Sequence, residues 1–181
     1  MEVSAKRYEI LQGLPPYGPM YISINQDELT SKESYSEGFV VRFFRSDGNS
    51  WVANFSTGTT DFNAVFDFPK TDTTIVIAGG AGYVMHRDQT EPIGTFGFGI
   101  KAALLSDSQE VVAADYIDIK VISNNGQVWT SDRVSWDGIK ELSIQGNTVR
   151  GKADDLEGWN DFTLDLKTRQ VSGSSWRIGS N

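Results

Sequence analysis

Residues 39–55 have the sequence FVVRFFRSDGNSWVANF, in which two apolar runs flank an Asp-Gly pair. Side chains of the two runs alternate between two faces that are both largely apolar, a period typical of β-strands. Asp47 and Gly48 tolerate the positive φ angles of a tight hairpin turn. The stretch therefore predicts a β-hairpin formed by residues 39–45 and 51–55.

The same period of two continues through the rest of the chain. The segment 26–33 is the one stretch of good helix formers, but Leu29 is its only large apolar residue, so we expect a loop there. We expect an irregular N-terminal segment over 1–19, with a strand around 8–11 and a proline-rich link over 12–19. Three further hairpins are predicted: 116–122 with 128–129 around Asn125-Gly126, 142–144 with Val149 around Gly146-Asn147, and 162–166 with Val171 through 167–169.

A weak internal repeat of 38–39 residues connects these strands. Residues 100–105 (IKAALL) and 139–144 (IKELSI) begin 39 residues apart, and a fainter copy begins at Phe62. The copies cover about 62–99, 100–138 and 139–176. A strand-rich unit of this length resembles a β-propeller blade. Three copies and the first hairpin could form a small ring of four blades, although a β-sandwich has similar strand spacing.

Length and composition predict one all-β domain over 1–181. The chain has 181 residues, 39% of them hydrophobic, which is enough for a single core. Its formal net charge of −8 disfavours nucleic acid, because affinity for the phosphate backbone comes largely from Lys and Arg. Apolar runs are too short to cross a membrane, and residues 1–8 show no leader, so we expect a cytoplasmic protein.

Residue types exclude several kinds of chemistry. There is no Cys and one His, His86, so thiol chemistry, Cys-ligated metals and mechanisms with two imidazoles are excluded. The glycine-rich run 78–82 precedes a predicted strand instead of the helix that a phosphate loop requires. We interpret it as a tight crossing between strands, and the glycines beside Phe96 and Phe98 as a sharply bent strand. We expect neither a cofactor nor a metal.

Tryptophans provide the best candidates for a binding surface, because large aromatic side chains dominate interface energetics. Trp51 and Trp129 follow hairpin turns on return strands, so we expect them in the core. Trp136 and Trp159 lie in or beside turns, where exposure is expected. Trp176 is the fifth tryptophan.

An acidic segment lies next to Trp159. Its carboxylates are most closely spaced at Asp154, Asp155 and Glu157. This spacing does not match the EF-hand pattern. With Trp136 and Trp159 they form the predicted binding residues. We expect a non-catalytic module that binds a protein partner with a basic surface.

A carbohydrate-binding module or a glycosidase-like enzyme is the alternative. Tryptophans would stack on sugar rings, and a carboxylate pair would supply acid and base. Asp115 with Asp118, or Asp154 with Asp161, are the candidate pairs. The sequence does not show which carboxyl group is buried, so this alternative stays open.

Overall fold

The computed structural model describes residues 6–18, 21–26 and 36–173. In this part of the chain the protein is all-β, with four sheets of four strands each. Sheet 1 contains β1 (Tyr8–Ile10), β2 (Ile22–Ile24), β3 (Phe39–Phe44) and β4 (Ser50–Phe55). Sheet 2 contains β5 (Ala64–Phe68), β6 (Thr73–Ala78), β7 (Ala81–His86) and β8 (Gly94–Phe96). Sheet 3 contains β9 (Ala102–Leu105), β10 (Glu110–Ala114), β11 (Ile119–Ser123) and β12 (Val128–Thr130). Sheet 4 contains β13 (Ile139–Gln145), β14 (Thr148–Asp154), β15 (Trp159–Asp165) and β16 (Val171–Ser172).

Sheets 2, 3 and 4 are simple antiparallel meanders in chain order. Sheet 1 has the order β1-β3-β4-β2, and β2 pairs with β4 in parallel. The predicted first hairpin is confirmed as β3 and β4, with Phe43 opposite Trp51. The all-β class and the repeated strand units are also confirmed, since sheets 2, 3 and 4 begin at Ala64, Ala102 and Ile139.

The sheets stack face to face in chain order, which gives a propeller-like arrangement of four sheets instead of a two-sheet sandwich. Three hydrophobic clusters fill the successive interfaces. Sheets 1 and 2 share a cluster around Phe43, Phe55 and Tyr83. Ile75, Ile77, Ile100 and Ile122 help to fill the interface of sheets 2 and 3, and Val121, Val149, Phe162 and Leu164 help to fill that of sheets 3 and 4.

Residues 116–118 and the glycine run 78–82 both contain turns that differ from the predictions. Residues 116–118 were expected at the start of a strand, but β11 begins at Ile119, because the Asp115 N–H donates to the Asp118 carbonyl and closes a turn. Gly79 and Gly80 form the turn of the β6–β7 hairpin instead of a crossing, with φ angles of 53° and 88°. Positive φ at both central residues is the requirement of a type I′ hairpin.

The aromatic residues near Gly97 also differ from the prediction. Phe96 ends β8 and is buried, whereas Phe98 is exposed in the connection to β9. The positive φ of 57° at Gly97 ends the strand, so there is no continuous bent strand. The predicted loop 26–33 lies outside the described residues except for Gln26, and Trp176 lies outside them as well.

A glycine in the connection from β4 to β5 allows this connection to pack closely on the β6–β7 turn and the β8–β9 connection. Gly58 donates its N–H to the Ala78 carbonyl at 3.0 Å. A Cβ atom at this position would lie 2.1 Å from the Phe98 carbonyl oxygen and 2.8 Å from the Ala81 nitrogen. These are backbone atoms, so no side-chain rotation would relieve the overlap.

We expect Gly58→Ala to destabilise the protein by about 2–3 kcal/mol, because overpacking against fixed backbone costs about 1–3 kcal/mol. The corresponding decrease in Tm is about 5–10 °C for a chain of this size. Gly158→Ala is the matched control, since a Cβ there would have no atom within 4 Å. Thermal unfolding of both variants tests this, and equal Tm values would contradict the packing described for Gly58.

Candidate functional site

One end of the stack carries connections that are joined by backbone hydrogen bonds. They comprise residues 56–63, 79–80, 97–101, 115–118, 131–138 and 155–158. The bonds link each sheet to the next: Thr60 N to Gly79 O at 2.9 Å, Ile100 N to Gly80 O at 3.1 Å, Lys101 N to Ala114 O at 2.9 Å, Val134 N to Ile117 O at 2.7 Å and Trp136 N to Asp154 O at 2.8 Å. These connections therefore form one continuous, ordered surface.

This end is acidic, whereas the opposite end is electrically balanced. Among the described residues, these connections together with residues 36–38 before β3 carry eight carboxylates and two basic side chains. The connections at the other end comprise 45–49, 69–72, 87–93, 106–109, 124–127, 146–147 and 166–170, and carry five carboxylates and five basic side chains. We call the two surfaces the acidic end and the balanced end. Carboxylates that outnumber basic groups on one surface produce a negative electrostatic potential there.

Large hydrophobic side chains are exposed at the acidic end. Trp136 is 41% exposed, and Trp159, the first residue of β15, is 45% exposed. Phe98, Ile117 and Leu156 are also exposed in these connections. Exposed apolar side chains are typical of interaction sites. Ile93 and Leu105 are exposed at the balanced end as well, so the tryptophans and the charge distinguish the acidic end.

A buried serine holds Trp136 in place. The Ser135 hydroxyl is fully buried, donates to the Gly138 carbonyl at 2.5 Å and accepts from the Asp154 N–H at 3.0 Å. It thereby fastens the connection 131–138 to the end of β14. Trp136 is consequently presented on a fixed backbone.

Trp159 packs against the same turn. A Cβ atom on Gly138 would lie 2.9 Å from Trp159 Cη2, so the glycine provides the space that the indole occupies. Asp154 is directly opposite Trp159 in the β14–β15 pair. The structure therefore brings Trp136, Trp159 and Asp154 together.

The carboxylates of the acidic segment organise its turn. Asp155 Oδ1 accepts hydrogen bonds from the N–H groups of Glu157 at 2.9 Å and Gly158 at 2.8 Å, and Asn160 Nδ2 donates to Oδ2. Asp154 Oδ1 accepts from the Leu156 N–H at 3.1 Å. The hydrogen bond from Glu157, aided by Asn160 and Gly158, holds the pKa of Asp155 below its ordinary value of 3.8. Glu157 is exposed in the same turn.

Three aromatic rings at or beside this end are covered by cations of the protein itself. Lys101 Nζ lies 3.6 Å from the centre of the Tyr116 ring, and Lys140 Nζ lies 3.9 Å from that of Trp159. Arg133 Cζ is 5.2 Å from the Trp136 ring. These pairs were not predicted from the sequence, because their members are separated along the chain or lie in turns.

Neither candidate carboxylate pair resembles an open acid–base site. Asp115 and Asp118 both contact the buried Lys120 ammonium, which lies 3.7 Å from Asp115 Oδ2. Asp161 is opposite Lys152 in the sheet and borders a cavity of ≈ 270 Å³ that Arg150 also lines. A glycosidase needs one carboxylic acid in an apolar setting, and basic side chains adjoin these carboxylates instead.

The remaining tryptophans and His86 lie elsewhere. Trp51 is buried, which confirms its predicted core position, whereas Trp129 is only partly buried against the cluster between sheets 3 and 4. His86 ends β7, and its Nδ1 accepts a hydrogen bond from the Asp88 N–H. Within residues 6–18, 21–26 and 36–173, no three His, Asp or Glu side chains are placed to hold a metal ion. That same part of the chain contains no helix long and apolar enough to span a membrane.

Comparisons with known proteins give similarities to solved structures alone. No family model matches the sequence, and no curated protein matches it. Among solved structures, the N-terminal domain of Nup159 is similar with a TM-score of 0.43 and 9% sequence identity. The match covers 65% of this chain and 34% of the Nup159 chain. This chain therefore spans about a third of the length of that structure.

The order of the acidic turn should depend on pH. The pKa of Asp155 is lowered in the folded protein. Its carboxylate therefore stabilises the turn fully above its ordinary pKa, and this stabilisation is lost as the pH falls through the lowered value. We expect amide exchange at Glu157 and Gly158 to accelerate below about pH 3.8, relative to the intrinsic rates. NMR-detected exchange tests this, with Asp155→Asn as the comparison. Protection that is independent of pH in the wild type would contradict the role of the carboxylate.

Proposed function

We propose that the protein is a non-catalytic interaction module that binds the basic surface of a protein partner through the acidic end. The observation that carries the proposal is the coincidence of exposed Trp136 and Trp159 with the charge of that end. Binding hot spots are enriched in Trp, and a surrounding field of opposite charge accelerates encounter.

The fixed geometry of the surface supports this function. Ser135 and Asp155 organise the two turns around Trp136 and Trp159, so little conformational freedom would be lost on binding. Preorganisation of this kind raises affinity because fewer side chains and loops must be ordered. Sugar stacking has less support, since Arg133 and Lys140 lie over the indole rings.

We expect Trp136→Ala and Trp159→Ala each to weaken partner binding by about 30-fold, or about 2 kcal/mol, as for other tryptophan hot spots. Because both indoles are exposed, each change should cost about 1 kcal/mol of stability or less. Affinity purification of the tagged protein from its own lysate, with size-exclusion chromatography, would identify the partner. Titration of the purified pair would then give the affinities.

The matched control is the double variant Ile93→Ala/Leu105→Ala. These side chains are 52% and 47% exposed but lie at the balanced end. The control should bind like the wild type, and higher salt should weaken wild-type binding. Equal affinity of the tryptophan variants and the control would contradict the proposal. A large decrease in the Tm of the tryptophan variants would place the indoles in the core and would also contradict it.

A further inference from the structure

Lys140 contacts the Trp159 ring without any ion-pair partner among the described residues. It lies on β13, its side chain is exposed, and its Nζ is 3.9 Å from the ring centre. Lys152, directly opposite it on β14, behaves differently, because its ammonium pairs with Glu141 at 3.0 Å. An exposed cation–π contact shifts an equilibrium by only about two- to fivefold. A competing cation could therefore displace Lys140 readily.

The surroundings of the ring favour a cation. Asp154 is opposite Trp159 across the β14–β15 pair, and Asp161 lies two residues further along β15 on the same face of the sheet. Directly opposed side chains in an antiparallel pair have Cβ atoms about 4.5–5.5 Å apart. A cation over the indole would thus lie on the same face of the sheet as two carboxylates, of which Asp161 is opposite Lys152.

We propose that the Trp159 ring is a subsite for an arginine side chain of the partner, which Lys140 occupies in the free protein as a displaceable competitor. This inference rests on the proposed function. A planar guanidinium stacks on an aromatic ring while its N–H groups donate to carboxylates, and an ammonium lacks this shape. An arginine side chain should therefore bind the Trp159 ring more tightly than Lys140 does.

If an arginine displaces Lys140 from the Trp159 ring, the affinity for arginine must depend on the residue at position 140. Removal of the lysine should free the ring and strengthen arginine binding. Its replacement by arginine should leave the ring occupied by a better competitor. A change of net charge alone would not distinguish Lys140 from Lys152, since the two are opposite each other in the sheet.

The test is calorimetric titration of the full chain with an octa-arginine peptide. We expect Lys140→Gln to bind about two- to fivefold more tightly than Lys152→Gln, which removes the same charge from the opposing strand position. Lys140→Arg should bind no more tightly than the wild type. Thermal unfolding checks that each variant is folded.

The outcomes separate this inference from the proposed function. If binding depends on Trp136 and Trp159 but Lys140→Gln and Lys152→Gln have equal affinity, the arginine subsite is wrong and the interaction surface stands. If octa-arginine does not bind, or binds the tryptophan variants as well as the wild type, both the subsite and the proposed basic partner are wrong.

Discussion

The hairpin of β6 and β7 is buried on both of its faces. All six residues of β6 are buried, with Val76 packed toward sheet 1 and Ile75 and Ile77 toward sheet 3. A strand with two buried faces requires a sheet on either side, and each of those sheets has an apolar face of its own to cover. Stacking of successive sheets satisfies this requirement along the chain.

Stacking in chain order also creates the candidate site. Because sheets 2, 3 and 4 are meanders that begin at the same end, their first connections meet there and form hydrogen bonds from sheet to sheet. The core thereby positions loops that contain few core residues themselves. Side chains on those loops are free to be acidic or aromatic without loss of packing, and this separation of scaffold from surface is common among binding modules.

Local sequence patterns predicted the hairpins and the all-β class, because strand period and turn residues act over a few positions. The repeat also indicated the sheet boundaries. Tyr116, Ile117 and Phe98 were misplaced, since a short apolar run looks alike in a strand and in a turn that packs on its neighbours. Exposure of Trp136 and Trp159 followed from adjacent glycines and acids. Their contacts with Arg133 and Lys140 depend on tertiary packing and could not be predicted from the sequence.

Hydrogen–deuterium exchange with and without octa-arginine tests most directly whether the acidic end is the interaction surface. We predict slower exchange on binding in the connections 97–101, 115–118, 131–138 and 155–158, where exposed apolar side chains and carboxylates lie together. The connections of the balanced end should be unchanged. Slower exchange that is confined to the balanced end, or spread equally over both ends, would contradict the account.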